Sequence, residues 1–268
     1  MPAVRGPALL FCPADRPDRY EKAAARADSV ILDLEDAVAA DAKAYARSAL
    51  ASLPLDPERT IVRVNPAPDL AEDLRALADT AYRTVMLAKT GSAADVRALA
   101  DHEVIALVET ASGVVNVASI AAVPNVVALM WGADDLVASL GGTSSRRPSG
   151  AYRDVAVHAR SAVLLAAGAA GKVAIDAVHL DIGDLDGLAA EASDAAASGF
   201  VATACIHPSQ VPVVRAAYRP VEAEVERARA VLAAAVGQHG AFRWQGAMVD
   251  GPVLKHAEEV LRRAGAHR

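Results

Sequence analysis

Two carboxylates stand where a folded chain tolerates uncompensated charge poorly. Glu109 closes the run Ile105-Ala-Leu-Val-Glu, and Asp135 closes Met130-Trp-Gly-Ala-Asp-Asp. A charge at the end of so apolar a stretch needs a partner. Either residue alone would serve as a helix cap or as the mate of a Lys or Arg. Together, with no rival histidine and no Cys/His cluster at zinc spacing, they suit a hard divalent cation. Mg²⁺ fits two carboxylates plus waters and substrate oxygens better than Zn²⁺. Arg63, in Thr60-Ile-Val-Arg-Val-Asn-Pro, carries the planar guanidinium that grips a carboxylate through two parallel hydrogen bonds. A buried ion pair with Glu35 is the other use its spacing allows.

These residues belong to a wider pattern of polar groups closing short apolar runs. Asp15 and Arg16 follow the first run; Asp33, Glu35 and Asp36 lie in the second, Arg63 and Asn65 in the third, Lys89 in the fourth. Glu109 closes the fifth and Asp134 and Asp135 the sixth. Asp176, His179 and Asp181 surround the seventh, and His207 and Gln210 close the eighth. In a barrel of parallel strands the chemistry sits at the strands' C-terminal ends. Three features weigh less. Arg16, Arg19 and Lys22 read as solvated charge, although Arg19 and Lys22 share a helix face. The loop Gly141–Gly150 lacks the Lys-Ser/Thr ending of a phosphate-binding loop and reads as a mobile connection. Cys205 and His207 lie two apart without a context that would activate a nucleophile.

The elements that would position them are eight candidate strands, at 8–14, 29–36, 60–66, 84–90, 103–110, 126–135, 172–180 and 202–209. Ala- and charge-rich stretches between them, such as Pro17–Ala27, Ala40–Leu50 and Ala67–Thr80, read as covering helices. Eight alternations predict an α/β chain folded as a (β/α)₈ barrel over residues 1–210, and no G-x-G-x-x-G argues for an open dinucleotide-binding sheet. Residues 211–268 then form a C-terminal helical extension of the same domain, with helices near Val211–Val236 and Val253–Ala264 and a lid or oligomer contact as its task.

Composition agrees. Of 268 residues 53% are hydrophobic but only 4% aromatic, so Ala, Val and Leu carry the core, as in buried parallel strands under Ala-rich helices. The net charge of −6 gives no electrostatic case for nucleic acid or membrane. Two cysteines are too few for a disulfide framework. The N-terminal stretch has neither signal-peptide nor membrane-span character, so a cytoplasmic location is expected.

Seven stretches together resemble one family: Leu10-Phe-Cys-Pro-Ala-Asp-Arg-Pro-Asp-Arg-Tyr-Glu-Lys22, Ile31-Leu-Asp-Leu-Glu-Asp-Ala-Val38, Arg63-Val-Asn65, Met86-Leu-Ala-Lys89, Val108-Glu-Thr-Ala-Ser-Gly113, Gly132-Ala-Asp-Asp-Leu136 and Ile206-His-Pro-Ser-Gln210. In order and spacing the chain resembles the stand-alone citrate lyase β-subunit-like proteins of the HpcH/HpaI aldolase superfamily, of mycobacterial type. These are related to malyl-CoA and citramalyl-CoA lyases. The resemblance implies a (β/α)₈ TIM barrel and Mg²⁺ on Glu109 and Asp135. It implies catalytic roles for Arg63 and Glu35, substrate binding by Arg63, at the keto-acid carboxylate, and by Glu109, and Arg16, Lys22 and Lys89 toward coenzyme A. Met248-Val-Asp-Gly-Pro252 is similar to the family's lid, whose aspartate, here Asp250, acts as acid/base at a neighbouring subunit's site in a homotrimer or hexamer. Gly-Ala-Asp-Asp stands where many relatives have Gly-Ala-Glu-Asp, and Leu-Ala-Lys where Leu-Pro-Lys is common; neither removes a presumed ligand. The expected reaction is reversible Claisen-type cleavage of a 3-hydroxy-3-carboxyacyl-CoA. Its rivals are an Mg²⁺-dependent aldolase without a thioester and a subunit serving an acyl-carrier-protein thioester; no acyl carrier protein is expected as a partner.

Overall fold

The computed structural model describes residues 4–266. Eight parallel strands close into a barrel in sequence order: β1 (Ala8–Pro13), β2 (Ser29–Asp33), β3 (Thr60–Val64), β4 (Thr84–Leu87), β5 (Glu103–Val108), β6 (Val126–Trp131), β7 (Val173–Asp176) and β8 (Ala202–Cys205). Each expected strand is present. The helices that cover them are α1 (Tyr20–Arg26), α2 (Lys43–Ser52), α3 (Leu70–Leu77), α4 (Ala93–Arg97), α5 (Ala111–Ala121), α6 (Ala133–Ser139), α7 (Asp154–Ala169), α8 (Leu185–Ser198) and α9 (Gln210–Tyr218).

Alternate residues of a strand point to opposite faces, so each strand contributes one column to the barrel's lumen. Leu9, Ile31, Ile61, Met86, Ile105, Leu107, Ala128, Met130, Ile175, Ala202 and Ala204 pack there as one buried cluster. The same alternation carried two residues further delivers the polar groups. Above Ile31 come Asp33 and Glu35, above Ile61 comes Arg63, and above Ile105 and Leu107 comes Glu109. The other strand faces, rich in Val, Leu and Ala, meet the helices. Cys12 and Cys205 are both buried, and burial raises the Cys12 thiol pKa to about 11.

The chain divides into two compact units between Val214 and Arg215, four residues beyond the expected end of the barrel. The second unit holds the end of α9, α10 (Glu222–Ala235), a two-stranded antiparallel hairpin of β9 (Phe242–Trp244) and β10 (Ala247–Val249), and α11 (Gly251–Ala266). It has its own core of Ala228, Val231, Val249 and Ala257, with Leu232, Phe242, Trp244 and Leu254 against them. Two details differ from the expectation. Arg219 and Pro220 break the long helix foreseen over Val211–Val236, because proline disfavours helical backbone in the residue before it. The segment between the two expected helices, with the stretch similar to the family's lid at its end, makes a hairpin that turns at Gln245-Gly246, both at positive φ. Among the described residues no helix is long and apolar enough to cross a membrane.

Candidate active site

In register, Asp33 of β2 lies beside Arg63 of β3. The pair is bidentate: Arg63 Nε donates to Asp33 Oδ1 at 2.7 Å and Nη2 to Oδ2 at 2.6 Å. Glu35 Oε2 stands 3.0 Å from Arg63 Nη1. Asp33 also accepts the backbone N–H groups of Glu35 and Ala37, so its geometry is fully determined. One guanidinium face covers the Phe11 ring, 4.9 Å from its centroid. Burial opposes the charge, but Asp33, and after it Glu35 and Glu109, push the Arg63 pKa up. Asp33 takes the Nε–H and one Nη2–H and Glu35 faces Nη1, which leaves one Nη1–H and one Nη2–H that can face a carboxylate. Both uses foreseen for Arg63 are thus compatible with its position, although its principal partner is Asp33.

Glu109 follows β5 and is 3% exposed. Its Oε1 accepts the backbone N–H of Lys89 at 2.9 Å, and burial, then the Asp135 charge, raises its pKa to about 8. Gly132, after β6, is required here: a Cβ on it would lie 2.8 Å from Glu109 Oε2 and 2.9 Å from Glu109 Cβ. Asp135 follows in the first turn of α6. Gly113 has a similar reason, since a Cβ there would come within 2.4 Å of the Thr90 carbonyl oxygen. It lets α5, capped by the Thr110 hydroxyl on Gly113 N, start against the loop that carries Lys89.

These groups border a cavity of about 310 Å³ at the C-terminal end of the barrel. Its lining includes Asp33, Asp36, Glu109, Asp134 and Asp135 against a single guanidinium, Arg63, with Phe11, Leu107, Met130, Val178, Leu180 and Ile206 as apolar wall. So acidic a cavity repels an organic anion until a cation is present. Glu109 and Asp135 offer hard oxygen donors, and among the described residues no three Asp, Glu, His or Cys side chains converge. Two carboxylates that leave most coordination positions to water and substrate fit Mg²⁺ rather than a cation needing a complete protein cage.

Beside it lies a second cavity of about 460 Å³, lined by Leu10, Phe11, Cys12, Pro13, Arg19, Lys22, Ala23, Arg26, Ile206, His207 and Pro208. Phe11, Pro13 and Ile206 border both. This groove is basic, and Lys22 is in it as expected. Arg16 is not among its lining residues. It is exposed and held by Asp18 through Nε at 3.1 Å and Nη2 at 3.3 Å. Arg19 and Arg26 supply the charge instead; Arg26 completes an i, i+3, i+7 spacing with Arg19 and Lys22, the signal by which the sequence would have disclosed it.

Two further positions differ from the expectation. Glu35 does not line the cavity: its carboxylate takes Arg63 Nη1, Lys89 Nζ and the N–H of Asp36, so it supports Arg63 instead of meeting substrate. The Lys89 ammonium lies on Glu35 and Asp36 and is outside the basic groove's lining. Other strand-end groups are absorbed by structure. Asp176 accepts Trp131 Nε1 at 2.6 Å and is clamped by Arg160, His179 Nδ1 pairs with Glu191 at 2.9 Å, and Gln210 bonds the backbone of Ile206, His207 and His179. Asn65 bridges Leu34 O and Asp73. The loop foreseen as mobile is tethered by Ser145 to Asp134 and by Arg146 to Glu191 and the Tyr152 ring. In the second unit Asp250 lies between β10 and α11, its carbonyl accepting Leu254 N.

Residues 8–208 match the family HpcH/HpaI aldolase/citrate lyase. The crystal structure of protein CitE from Mycobacterium tuberculosis in complex with magnesium, acetoacetate and coenzyme A superposes with a TM-score of 0.94 at 63% identity, covering 97% of this chain and 98% of that one. A (3S)-malyl-CoA thioesterase of Cereibacter sphaeroides is 34% identical over 269 residues, 95% of this chain and 91% of its own. The mitochondrial citramalyl-CoA lyase of Homo sapiens is 31% identical over 291 residues, 95% of this chain and 84% of its own. With the closed eight-stranded barrel, the motif order and this coverage, the chain belongs to the HpcH/HpaI aldolase/citrate lyase family and is a carbon–carbon lyase.

Proposed function

We propose that the chain catalyses the reversible, Mg²⁺-dependent, Claisen-type cleavage of a 3-hydroxy-3-carboxyacyl-CoA, such as citramalyl-CoA or malyl-CoA, to acetyl-CoA and pyruvate or glyoxylate. The observation that carries this reading is the juxtaposition of an acid-lined cavity containing Arg63 with a basic groove containing Arg19, Lys22 and Arg26, across the shared wall of Phe11, Pro13 and Ile206. One chamber suits a small oxo acid and the other a long ligand bearing phosphates. The magnesium, acetoacetate and coenzyme A bound to the CitE protein, and the citramalyl-CoA named for the human relative, support the same pairing.

Glu109 and Asp135 are the groups that would hold Mg²⁺. When bound, the cation supplies Lewis-acid polarisation of the substrate's hydroxyl or keto oxygen. Arg63 fixes the acid's carboxylate with the donors that Asp33 and Glu35 leave available. The bond between the carbinol carbon and the thioester's α-carbon breaks, and the hydroxyl oxygen becomes the keto oxygen. Its proton passes to a carboxylate of the cavity. Asp250 protonates the departing α-carbon, and in condensation the same carboxylate removes that proton, since one group must serve both directions. A homotrimer or hexamer, with Asp250 supplied by a neighbouring subunit, completes the reading by family resemblance. Attack of water on the thioester would give a thioesterase side activity, the reaction named for the Cereibacter relative.

Charge reversal in the groove separates the two chambers. Lys22→Glu and Arg26→Glu should each raise KM for an acyl-CoA by about 10- to 100-fold, the effect of losing a charge-assisted contact, and leave KM for the oxo acid in condensation unchanged. Arg16→Glu should have the smaller effect. Unchanged acyl-CoA KM in both groove variants would remove coenzyme A from this groove. The test of the function itself is a coupled assay of the purified chain with citramalyl-CoA and malyl-CoA, following acetyl-CoA and oxo acid together. Stoichiometric release that stops with EDTA is expected. No release from either ester would transfer the reading to an aldolase without a thioester or to a partner-dependent subunit.

A further inference from the structure

Among the described residues the non-glycine positions with positive φ are Lys89, at 52°, and Gln245, at 48°. Gln245 is explained by its hairpin turn. Lys89 is in no hairpin; it lies in the loop after β4, between the buried Ala88 and Thr90. A lysine held there is strained, and such strain persists only where the surroundings over-determine it. At Lys89 they do so from two sides. Its backbone N–H donates to Glu109 Oε1 at 2.9 Å, and its ammonium meets Glu35 Oε1 and, at 3.2 Å, Asp36 Oδ2.

Rotation about N–Cα sets the angle between a residue's N–H and its Cβ. At Lys89 the left-handed value sends the amide toward β5 and the side chain back toward the end of β2. We infer that Lys89 is a positioning residue that sets both halves of the oxo-acid site at once: its amide fixes Glu109, and its ammonium fixes Glu35 against Arg63. This rests on Glu109 being a cation ligand. The amide occupies Oε1, and Oε2 lies in the space that a Cβ on residue 132 would fill, so the Glu109 carboxylate is held in this orientation. Glu35 is 4% exposed and is shared by Arg63 and Lys89, so Lys89 takes up the charge that would otherwise pull Arg63 out of place.

The two tasks come apart under substitution, because glycine and asparagine accept positive φ and a β-branched residue does not. Mn²⁺ affinity by electron paramagnetic resonance and pyruvate affinity by calorimetry on the Mn²⁺-saturated protein read them without turnover. Lys89→Gly and Lys89→Asn keep the amide on Glu109 and lose the ammonium. They should hold Mn²⁺ within about twofold of the parent and bind pyruvate about tenfold more weakly, the effect of one charged hydrogen bond. Lys89→Val, driven out of the left-handed region, should lose at least about tenfold in Mn²⁺ affinity as well. Near-UV circular dichroism establishes that each variant is folded; if the valine variant is not, the glycine and asparagine variants decide. Unchanged pyruvate affinity in these two, or Mn²⁺ affinity falling as far in Lys89→Gly as in Lys89→Val, would overturn the inference and leave the cation site standing. Absence of Mn²⁺ binding to the parent protein would overturn the cation site, and this inference with it.

Discussion

Glutamine at Glu109 is expected to silence the enzyme and, in the same molecule, to raise the melting temperature of the metal-free protein. The two effects have one cause. Glu109 is 3% exposed, and burial, reinforced by Asp135, raises its pKa from 4.5 to about 8. A carboxyl whose pKa is higher in the folded chain stabilises the fold relative to its ionised form below pH 4.5, and that advantage is lost as pH rises toward about 8. Every tenfold change in proton affinity between the folded and unfolded chain is worth about 1.4 kcal/mol, so at pH 8 the ionised group burdens the metal-free fold by roughly 3–5 kcal/mol. A neutral amide of the same shape removes that burden and can still accept from Lys89 N–H. Scanning fluorimetry at pH 6 and pH 8, with and without Mg²⁺, checks it. The parent should gain more from Mg²⁺ at pH 8, whereas Glu109→Gln should start several degrees higher and gain nothing. Turnover of the acyl-CoA should fall about 10³-fold or more, since the cation supplies several kcal/mol at the transition state. A variant that still responds to Mg²⁺ would disprove the assignment of Glu109 as ligand.

Arg63 is expected to fail in the opposite manner. Removing the guanidinium as Arg63→Met leaves Asp33 and Glu35, 0% and 4% exposed, without their common cation. Breaking a buried pair in this way costs about 3–5 kcal/mol, so the melting temperature should drop steeply. Arg63→Lys preserves the charge but not the planar fork. It should remain folded, with kcat/KM for condensation reduced by about 10²- to 10³-fold, mostly through KM for the oxo acid. Steady-state kinetics with varied oxo acid at fixed acetyl-CoA makes the measurement. An Arg63→Lys variant with normal oxo-acid KM would mean that Arg63 is only the keystone of an ion-pair network.

The strands were legible because a parallel strand buried on both faces is a nearly continuous apolar run, and each such run ended in a group that could do chemistry. The expected ends overran the real ones because Leu34 and Ala88, in the loops that follow, and Ala133, the first residue of α6, are buried, so hydrophobicity alone does not mark where pairing stops. Glu109 and Arg63 stood out in the sequence by their abrupt placement after Val108 and Val62, and Asp135 by closing the run that begins at Met130. The identity of Arg63's main partner did not, because Asp33 and Glu35 are two apart on one column and only the β2–β3 register distinguishes them. Arg16 and Arg26 exchanged importance for a related reason: the 3₁₀ turn Pro17–Arg19 leading into α1 gives Arg16 to Asp18, while helical spacing brings Arg26 into line with Lys22. The backbone angle of Lys89 has no signature in residue type, since lysine is not among the residues, such as glycine, asparagine and aspartate, that favour it.

The wall of Phe11, Pro13 and Ile206 has a thermodynamic corollary. One face of it bounds the acidic chamber and the other the basic groove. Side chains that border both chambers give a route by which one ligand can affect the other, and linkage requires any such coupling to be equal in both directions. Under the proposed reaction, any factor by which the oxo acid changes the dissociation constant of acetyl-CoA is also the factor by which acetyl-CoA changes that of the oxo acid. Trimming Ile206 to alanine should bring that factor toward one, making the two products strangers to each other.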